Sequence, residues 1–415
     1  MTKKFSYFSV DVTKTKTIIF DKMFVVGILF YYIMMYSLPN SLVAKFAPLI
    51  APLVVYFYLS ILEVDLDNNR FLSPFFWLVG FSVVVLIYIG FDDRLSIFSS
   101  TEAIYFFSLP LMFLASFRLI NKGHNHFINS ALFIFLAFQA IVILGQFMKM
   151  KTGYGLYAPA EYSGFDNERY ISMLSGTFVN ANDLASITVM IALFFMINRK
   201  VCKTLYGSTI SIGFFVVIVT ASRSSFVMFL FLFLVLGLRG ISTKKVGLIL
   251  LIPTMAYFLY IFGFGDGNVP AVDRVASRLA TISDIFTFGI SSDNSSSMRI
   301  ESYLNFLNNL CNLGFGTVEY RNYSSFVSSL GPAYSLMGIN PHSFFVEIGY
   351  WLGWPGLALF SLFLLSCLML ISIERWLLVV AVFIVMSSVS SSIMGNFIFI
   401  LVFFFCLQDP RNRAI

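Results

Sequence analysis

The sequence predicts an all-α polytopic membrane protein, and three observations predict it. Of 415 residues, 58% are hydrophobic and 12% charged, with a mean hydropathy of +0.85; a soluble domain carries about a quarter charged residues. Apolar runs of about the 20 residues a helix needs to cross a bilayer recur from near residue 23 to near 408. One long polar stretch, 264–342, interrupts them.

The first 22 residues hold Lys3, Lys4, Lys14, Lys16 and Lys22 without a small-residue cleavage site, which reads as a retained cytoplasmic tail. The expected spans are 24–38, 42–62, 72–91, 101–119, 128–148, 178–197, 204–221, 224–239, 245–263, 354–372, 376–393 and 396–408. That makes about twelve transmembrane helices, within a range of about 11 to 14. The N-terminal lysines, Arg118, Lys122, Arg199, Lys200, Lys203, Arg239, Lys244, Lys245, Arg375, Arg411 and Arg413 then share one side, the cytoplasmic one. Acidic residues of the 63–71 loop weigh little in that rule. The runs 204–221 and 224–239 could form one long helix, but Lys203 and Arg239 both prefer the cytoplasm. A hairpin with Ser222-Arg223-Ser224-Ser225 at its outer tip satisfies both. The expected organisation is therefore a tail over 1–22, nine spans over 23–263 with an outer loop at 149–175, and a large outer loop over 264–342. A re-entry helix and three more spans fill 343–408, and a second tail 409–415.

A loop as long as 264–342 is expected to fold. Val272, Val275, Leu279 and Ile282 repeat at helical spacing, with Arg274 and Arg278 four apart on another face. A second loop helix is expected from Arg299 to Leu310, with Ile300, Tyr303, Leu307 and Leu310 as its apolar stripe. The turn Leu313-Gly314-Phe315-Gly316 ends it.

Few groups here can carry chemistry. Of three histidines, His342 precedes the apolar run Phe344 to Trp354, so it stands where a helix starts. Free amides and the positive end of the helix dipole favour a neutral imidazole there, as a general base requires. An interfacial histidine bonded to a backbone carbonyl is the alternative. His124 and His126 lack companion carboxylates or cysteines, and Cys202, Cys311, Cys367 and Cys406 show no paired spacing, so neither a metal site nor a disulfide framework is implied. Arg223, between two apolar runs, faces either a polar cavity or the headgroups. With Arg274, Arg278 and Arg299 it puts positive charge on the outer side against the usual bias, which suits an anionic ligand such as a pyrophosphate. Asn180 and Asp183 can share a helix face, and capping or helix–helix hydrogen bonding accounts for them. Phosphate-loop, dinucleotide and HExxH motifs are missing from the sequence. The formal charge of +6 belongs to cytoplasmic loops, which argues against nucleic acid as a partner.

Three stretches together resemble the O-antigen ligase and O-antigen polymerase superfamily. They are Gly176-Thr177-Phe178-Val179-Asn180-Ala181-Asn182-Asp183-Leu184-Ala185, Thr220-Ala221-Ser222-Arg223-Ser224, and Pro341-His342-Ser343-Phe344 with Glu347, Gly349, Gly353 and Gly356. The resemblance covers roughly residues 170–370. It implies a glycosyltransferase of the bacterial inner membrane, similar to the C-type membrane fold, with its active site on the periplasmic side. It also implies an undecaprenyl pyrophosphate-linked oligosaccharide as donor and no metal or other cofactor. Carried over, the family's loop histidine falls on His342, the arginine after the serine on Arg223, and the loop-helix arginine on Arg299; Asn180, Asp183 and Glu347 fall on the substrate side. Many members have His-Asn where this chain has His342-Ser343.

Chemistry and resemblance agree: a base takes the acceptor's proton, and arginines stabilise the departing pyrophosphate. Tyr320, Tyr323 and Tyr334 offer ring faces to sugars, although loop packing also accounts for them. The expected activity is polymerisation, with a second lipid-linked repeat unit as acceptor and a chain-length co-polymerase as partner; transfer to the lipid A core, as a ligase, is the alternative. A transporter or flippase would be expected to show repeated halves and broken midplane helices, and neither is visible in the sequence.

Overall fold

The structure, a computed structural model, describes residues 12–37, 69–92, 101–157, 173–198, 201–237, 294–317, 343–389 and 396–408. Among them are eleven α-helices and no strand. They are α1 (Val12–Ser37), α2 (Asn69–Phe91), α3 (Thr101–Asn121), α4 (Asn125–Thr152), α5 (Ala181–Ile197) and α6 (Lys203–Val219), followed by α7 (Arg223–Leu232), whose last turn continues as π-helix over Phe233–Gly237. Beyond them come α8 (Asn294–Asn308), α9 (Phe344–Ser366), α10 (Ile373–Met386) and α11 (Phe397–Cys406). By length and composition, three stretches are long and apolar enough to cross a membrane: Arg70–Phe91, Asn125–Thr152 and Phe344–Met369. Five described helices are apolar but shorter. The expected spans 42–62 and 245–263, and the loop helix near 272–282, lie outside the described residues.

The polarity of these helices is that of a bundle in lipid. On α4, Gln139 and Gln146 are buried while Ile134, Ile141, Leu144 and Met148 are exposed. On α2, Phe76, Val83, Ile87 and Phe91 point outward at helical spacing. In water those faces would be reversed; apolar surface outward and amides inward fits a hydrocarbon surround. Inside, phenylalanines do much of the packing. Phe383 stacks on Phe403 at 4.1 Å and meets Phe344 at 5.5 Å and Phe399 at 5.6 Å.

The hairpin reading holds over the described residues 204–237. Ala221 adopts φ +55°, turning the chain, and α7 runs back along α6 with Phe214 at 6.0 Å from Phe226 and 5.8 Å from Phe229. Charge ties other elements together: Asp21 of α1, fully buried, lies 3.5 Å from Arg118 of α3. Arg375 donates to the carbonyls of Cys406 (3.1 Å) and Gln408 (2.6 Å), capping the C-terminus of α11.

The re-entry helix and the following span form as two segments of α9, separated by a break at Gly353 (φ +60°, ψ −151°), and the first folds back on the second, with the Phe344 and Phe345 rings 5.0 and 5.7 Å from Phe360. In an unbroken helix the Trp354 amide would bond the Tyr350 carbonyl. Here it bonds Gly314 O (3.0 Å), and Tyr350 O accepts from the Thr317 amide (2.8 Å). Pro355, which has no N–H, starts the second segment as proline does in a first helical turn. One correction concerns α8. Its helix and Gly-Phe-Gly turn form as expected, and of the expected stripe Tyr303 and Leu310 pack half-buried against the core, but Ile300 and Leu307, with Leu304, are exposed and the inward face is Ser302, Asn305 and Phe306. Asn305 Nδ2 donates to Tyr350 Oη (2.8 Å), and the Phe306 ring packs edge-on to Tyr350 at 5.4 Å. A partner residue, not the apolar stripe, sets its rotation.

Gly353→Ala tests the break. Its left-handed φ disfavours any L side chain by about 1–2 kcal/mol, and a Cβ there would overlap the Gly314 carbonyl and the Gly316 amide. The thermal midpoint of the detergent-solubilised variant should fall by several degrees, whereas Gly27→Ala, with open space around it, should leave it unchanged.

Candidate functional site

The segment before α5 is held from behind by two glutamines. Gln146 Oε1 accepts the amides of Ser175 (3.2 Å) and Gly176 (3.1 Å), and Gln146 Nε2 donates to Gly176 O (2.7 Å). One helical repeat back, Gln139 Oε1 accepts the Thr177 amide (2.9 Å) and Gln139 Nε2 donates to Thr177 Oγ1 (2.8 Å). Irregular backbone inside a bundle lacks regular hydrogen-bond partners, and these side chains supply them. Gly176, at φ +61°, lets the chain pass against Gln139, whose Oε1 a Cβ would overlap. Asn180 then caps α5, its side chain accepting the Asn182 amide at 3.0 Å. The capping reading of Asn180 is therefore what the structure shows. Asp183 sits in the first turn, 8% exposed. Sequence reasoning missed Gln139 and Gln146; the available signal was two amides seven apart in an otherwise apolar span.

Contacts between helices bring the candidate residues to one end of the bundle. Ser186, near the start of α5, donates to Met386 O at the end of α10 (3.3 Å). Phe344 opens α9 and Phe399 lies in the first turn of α11; both rings meet Phe383, near that same end of α10. At Gly213, Phe229 of α7 and Thr188 of α5 close to 3.2 and 3.3 Å of where a Cβ would stand, which sets the start of α7 level with the start of α5. Thus α5, α7 and α11 begin at this end, with Asn180 and Asn396 as side-chain caps and Ser222 at the N-cap position of α7. The amides that open α5, α7 and α11, each the positive end of a dipole, point the same way, whereas the first segment of α9 runs opposite, its Phe344 folded back against Phe360 at 5.0 Å.

Arg223 is the first residue of α7, partly buried, with its Nη1 enclosed; Ser222 Oγ bonds Ser225 Oγ beside it (3.0 Å). Glu347 lies in the first turn of α9 and is 2% exposed. The structure therefore gathers Asn180, Asp183, Arg223 and Glu347 at the same end. Arg299 lies on α8, which docks on α9 through Phe306 and Asn305; its side chain is not among those described. His342, Arg274, Arg278, Tyr320, Tyr323 and Tyr334 lie outside the described residues, although Ser343, next to His342, is buried at the N-cap position of α9. Among the described residues no cluster of three metal-ligating side chains occurs.

The glutamine clamp makes a graded prediction. Gln146→Leu leaves two amides and a carbonyl to find partners, at about 1–3 kcal/mol for each that stays buried and unbonded. Its thermal midpoint in detergent should fall further than that of Gln139→Leu, and both further than Ile141→Val on the exposed face of α4. Equal midpoints for Gln146→Leu and Ile141→Val would show that the clamp carries no load.

No curated protein matches the chain. A family model does: the one described as O-antigen ligase matches residues 208–361. That stretch contains Arg223, Arg299, His342 and Glu347, the α6–α7 hairpin, the loop helix and the broken start of α9. It leaves out the clamped segment and Asn180, which join the site only through packing. The match supports the O-antigen ligase and polymerase superfamily and leaves the two branches undistinguished.

Proposed function

We propose that this protein is an O-antigen polymerase, or polymerase of a related surface polysaccharide. It moves the growing glycan from undecaprenyl pyrophosphate to a new lipid-linked repeat unit at the periplasmic side of the inner membrane. The observation that carries the reading is the convergence of the N-termini of α5, α7 and α11, with Arg223, at one end of the bundle, supported by a match to a family of glycosyltransferase-like enzymes of lipopolysaccharide synthesis. A pyrophosphate is the kind of group that such an end receives, from backbone amides and from the paired donors of an arginine.

In the proposed reaction the acceptor hydroxyl attacks the anomeric carbon, its proton passes to His342, and the bond to the pyrophosphate oxygen breaks. Direct displacement inverts the anomeric configuration. Arg223 and Arg299 take the developing charge on the leaving group, which lets the reaction proceed without a metal. Arg274 and Arg278 guide the anionic donor, Tyr320 and Tyr323 face the sugars, and Glu347, Asp183 and Asn180 hold the walls. About twelve transmembrane helices in a C-type glycosyltransferase arrangement complete the proposed architecture.

Transfer to the lipid A core is the second reading, favoured by the description of the matching family as a ligase. The phenylalanine-rich sequence, with 50 phenylalanines, suits the divergent polymerase branch better. Lipopolysaccharide from a deletion strain separates the two: a lost polymerase leaves core plus one repeat unit, a lost ligase leaves bare core.

At matched insertion, His342→Ala should lower elongation about 100-fold or more, the loss of a general base. Arg299→Lys should also shorten the ladder, because lysine keeps the charge and loses the paired donors. A full-length ladder from His342→Ala would overturn the assignment.

A further inference from the structure

The loop helix α8 is built inside out. Its described inward side chains are Ser302, Asn305 and Phe306, and its outward ones include Ile300, Leu304 and Leu307, exposed by 38, 54 and 56%. At 100° per residue the outward three fall within an arc of about 60°. Cys311, one turn further on, is exposed as well. A helix facing water shows the opposite arrangement. Elsewhere in this chain the same inversion marks the lipid-facing side of α4. Yet α8 cannot span a bilayer: it has 15 residues, among them Asn294, Ser295, Ser296, Ser297, Arg299 and Glu301.

Its position supplies the missing medium. The turn that follows α8 is tied to the last turn of α2, where Tyr88 Oη donates to Phe315 O at 2.7 Å. Since Arg70–Phe91 is a membrane-crossing candidate, Tyr88 marks the level at which that crossing ends. Phe91, Phe315 and Trp354 are exposed there, by 73, 75 and 47%. Aromatic rings at the end of a span form the belt that sits among headgroups. The outward apolar surface of α2 (Phe76, Val83, Ile87, Phe91) leads up to that belt, and the chain leads from it into α8.

We propose that α8 lies in the bilayer interface on the side where α2 ends, with Ile300, Leu304 and Leu307 seated among phospholipid acyl chains. The inference does not depend on the catalytic reading. Burying three aliphatic side chains favours the lipid-seated position. The polar first turn stays at headgroup level, and Asn305 and Phe306 fasten the other side of the helix to α9.

Collision accessibility of nitroxide labels tests this in the full-length protein, reconstituted in nanodiscs of phosphatidylethanolamine and phosphatidylglycerol. Ile300→Cys, Leu304→Cys and Leu307→Cys are labelled one at a time in a Cys202→Ser, Cys311→Ser background; Cys367 and Cys406 are buried. Oxygen should relax all three labels several-fold more effectively than a water-soluble nickel chelate, with the reverse ratio at native Cys202 labelled in Cys311→Ser alone. If a variant fails to insert, the native Cys311 is labelled in Cys202→Ser alone, with the same expectation. Chelate access equal to or above oxygen would overturn the proposal, placing the stripe in water. Exclusion of both agents would overturn it too, because another segment of the chain then covers the stripe. So would spin–spin broadening that disappears on dilution with unlabelled protein, which would place a second copy there.

Discussion

The structure depends on an exchange of backbone hydrogen bonds at Gly353. An unbroken α9 would pair Trp354 N with Tyr350 O; the break hands both groups to the loop, at Gly314 O and Thr317 N. A buried amide or carbonyl without a partner costs more than a hydrogen bond usually contributes, so helix and loop satisfy each other or neither is stable. Through this exchange the helix bearing Arg299 is fixed to the helix that begins beside His342. Tyr88 adds α2 to the same joint, reaching Phe315 O at 2.7 Å and Leu352 O at 3.4 Å.

A second constraint runs through the molecule: polar groups face the bundle's interior. Gln139 and Gln146 hold irregular backbone, Asp21 lies beside Arg118, and Gln408 Nε2 reaches Ser116 Oγ at 2.8 Å. In lipid, association gains little from the hydrophobic effect, and close packing with internal polar bonds takes its place. The interlocked rings around Phe383 are the packing half of that arrangement.

The candidate site follows from helix direction. Helices that alternate through a bundle put every second N-terminus at the same end, and here α5, α7 and α11 carry Asn180, Ser222 and Asn396 to it. Arg223 owes its place to the α6–α7 hairpin, whose turn needs Ala221 at positive φ. Free amides and a guanidinium at one end create a region that favours anions before any loop residue is added.

The sequence by itself determined which segments are helices in lipid and where the chain turns. Hydropathy is local, so the runs that became α2, α4 and α11, the 204–239 hairpin and the helix starting after Ser343 were all legible. Asn180 as a cap was legible for the same reason: its bond reaches only two residues. Contacts between distant segments were not legible. The fold-back of the re-entry helix on the next span needed Gly314 and Thr317 to receive the bonds that the break released. The rotation of α8 was decided by Tyr350, some 45 residues away from Asn305. Periodicity shows that a helix has an apolar stripe, but only the tertiary structure shows whether that stripe meets protein or the surrounding medium.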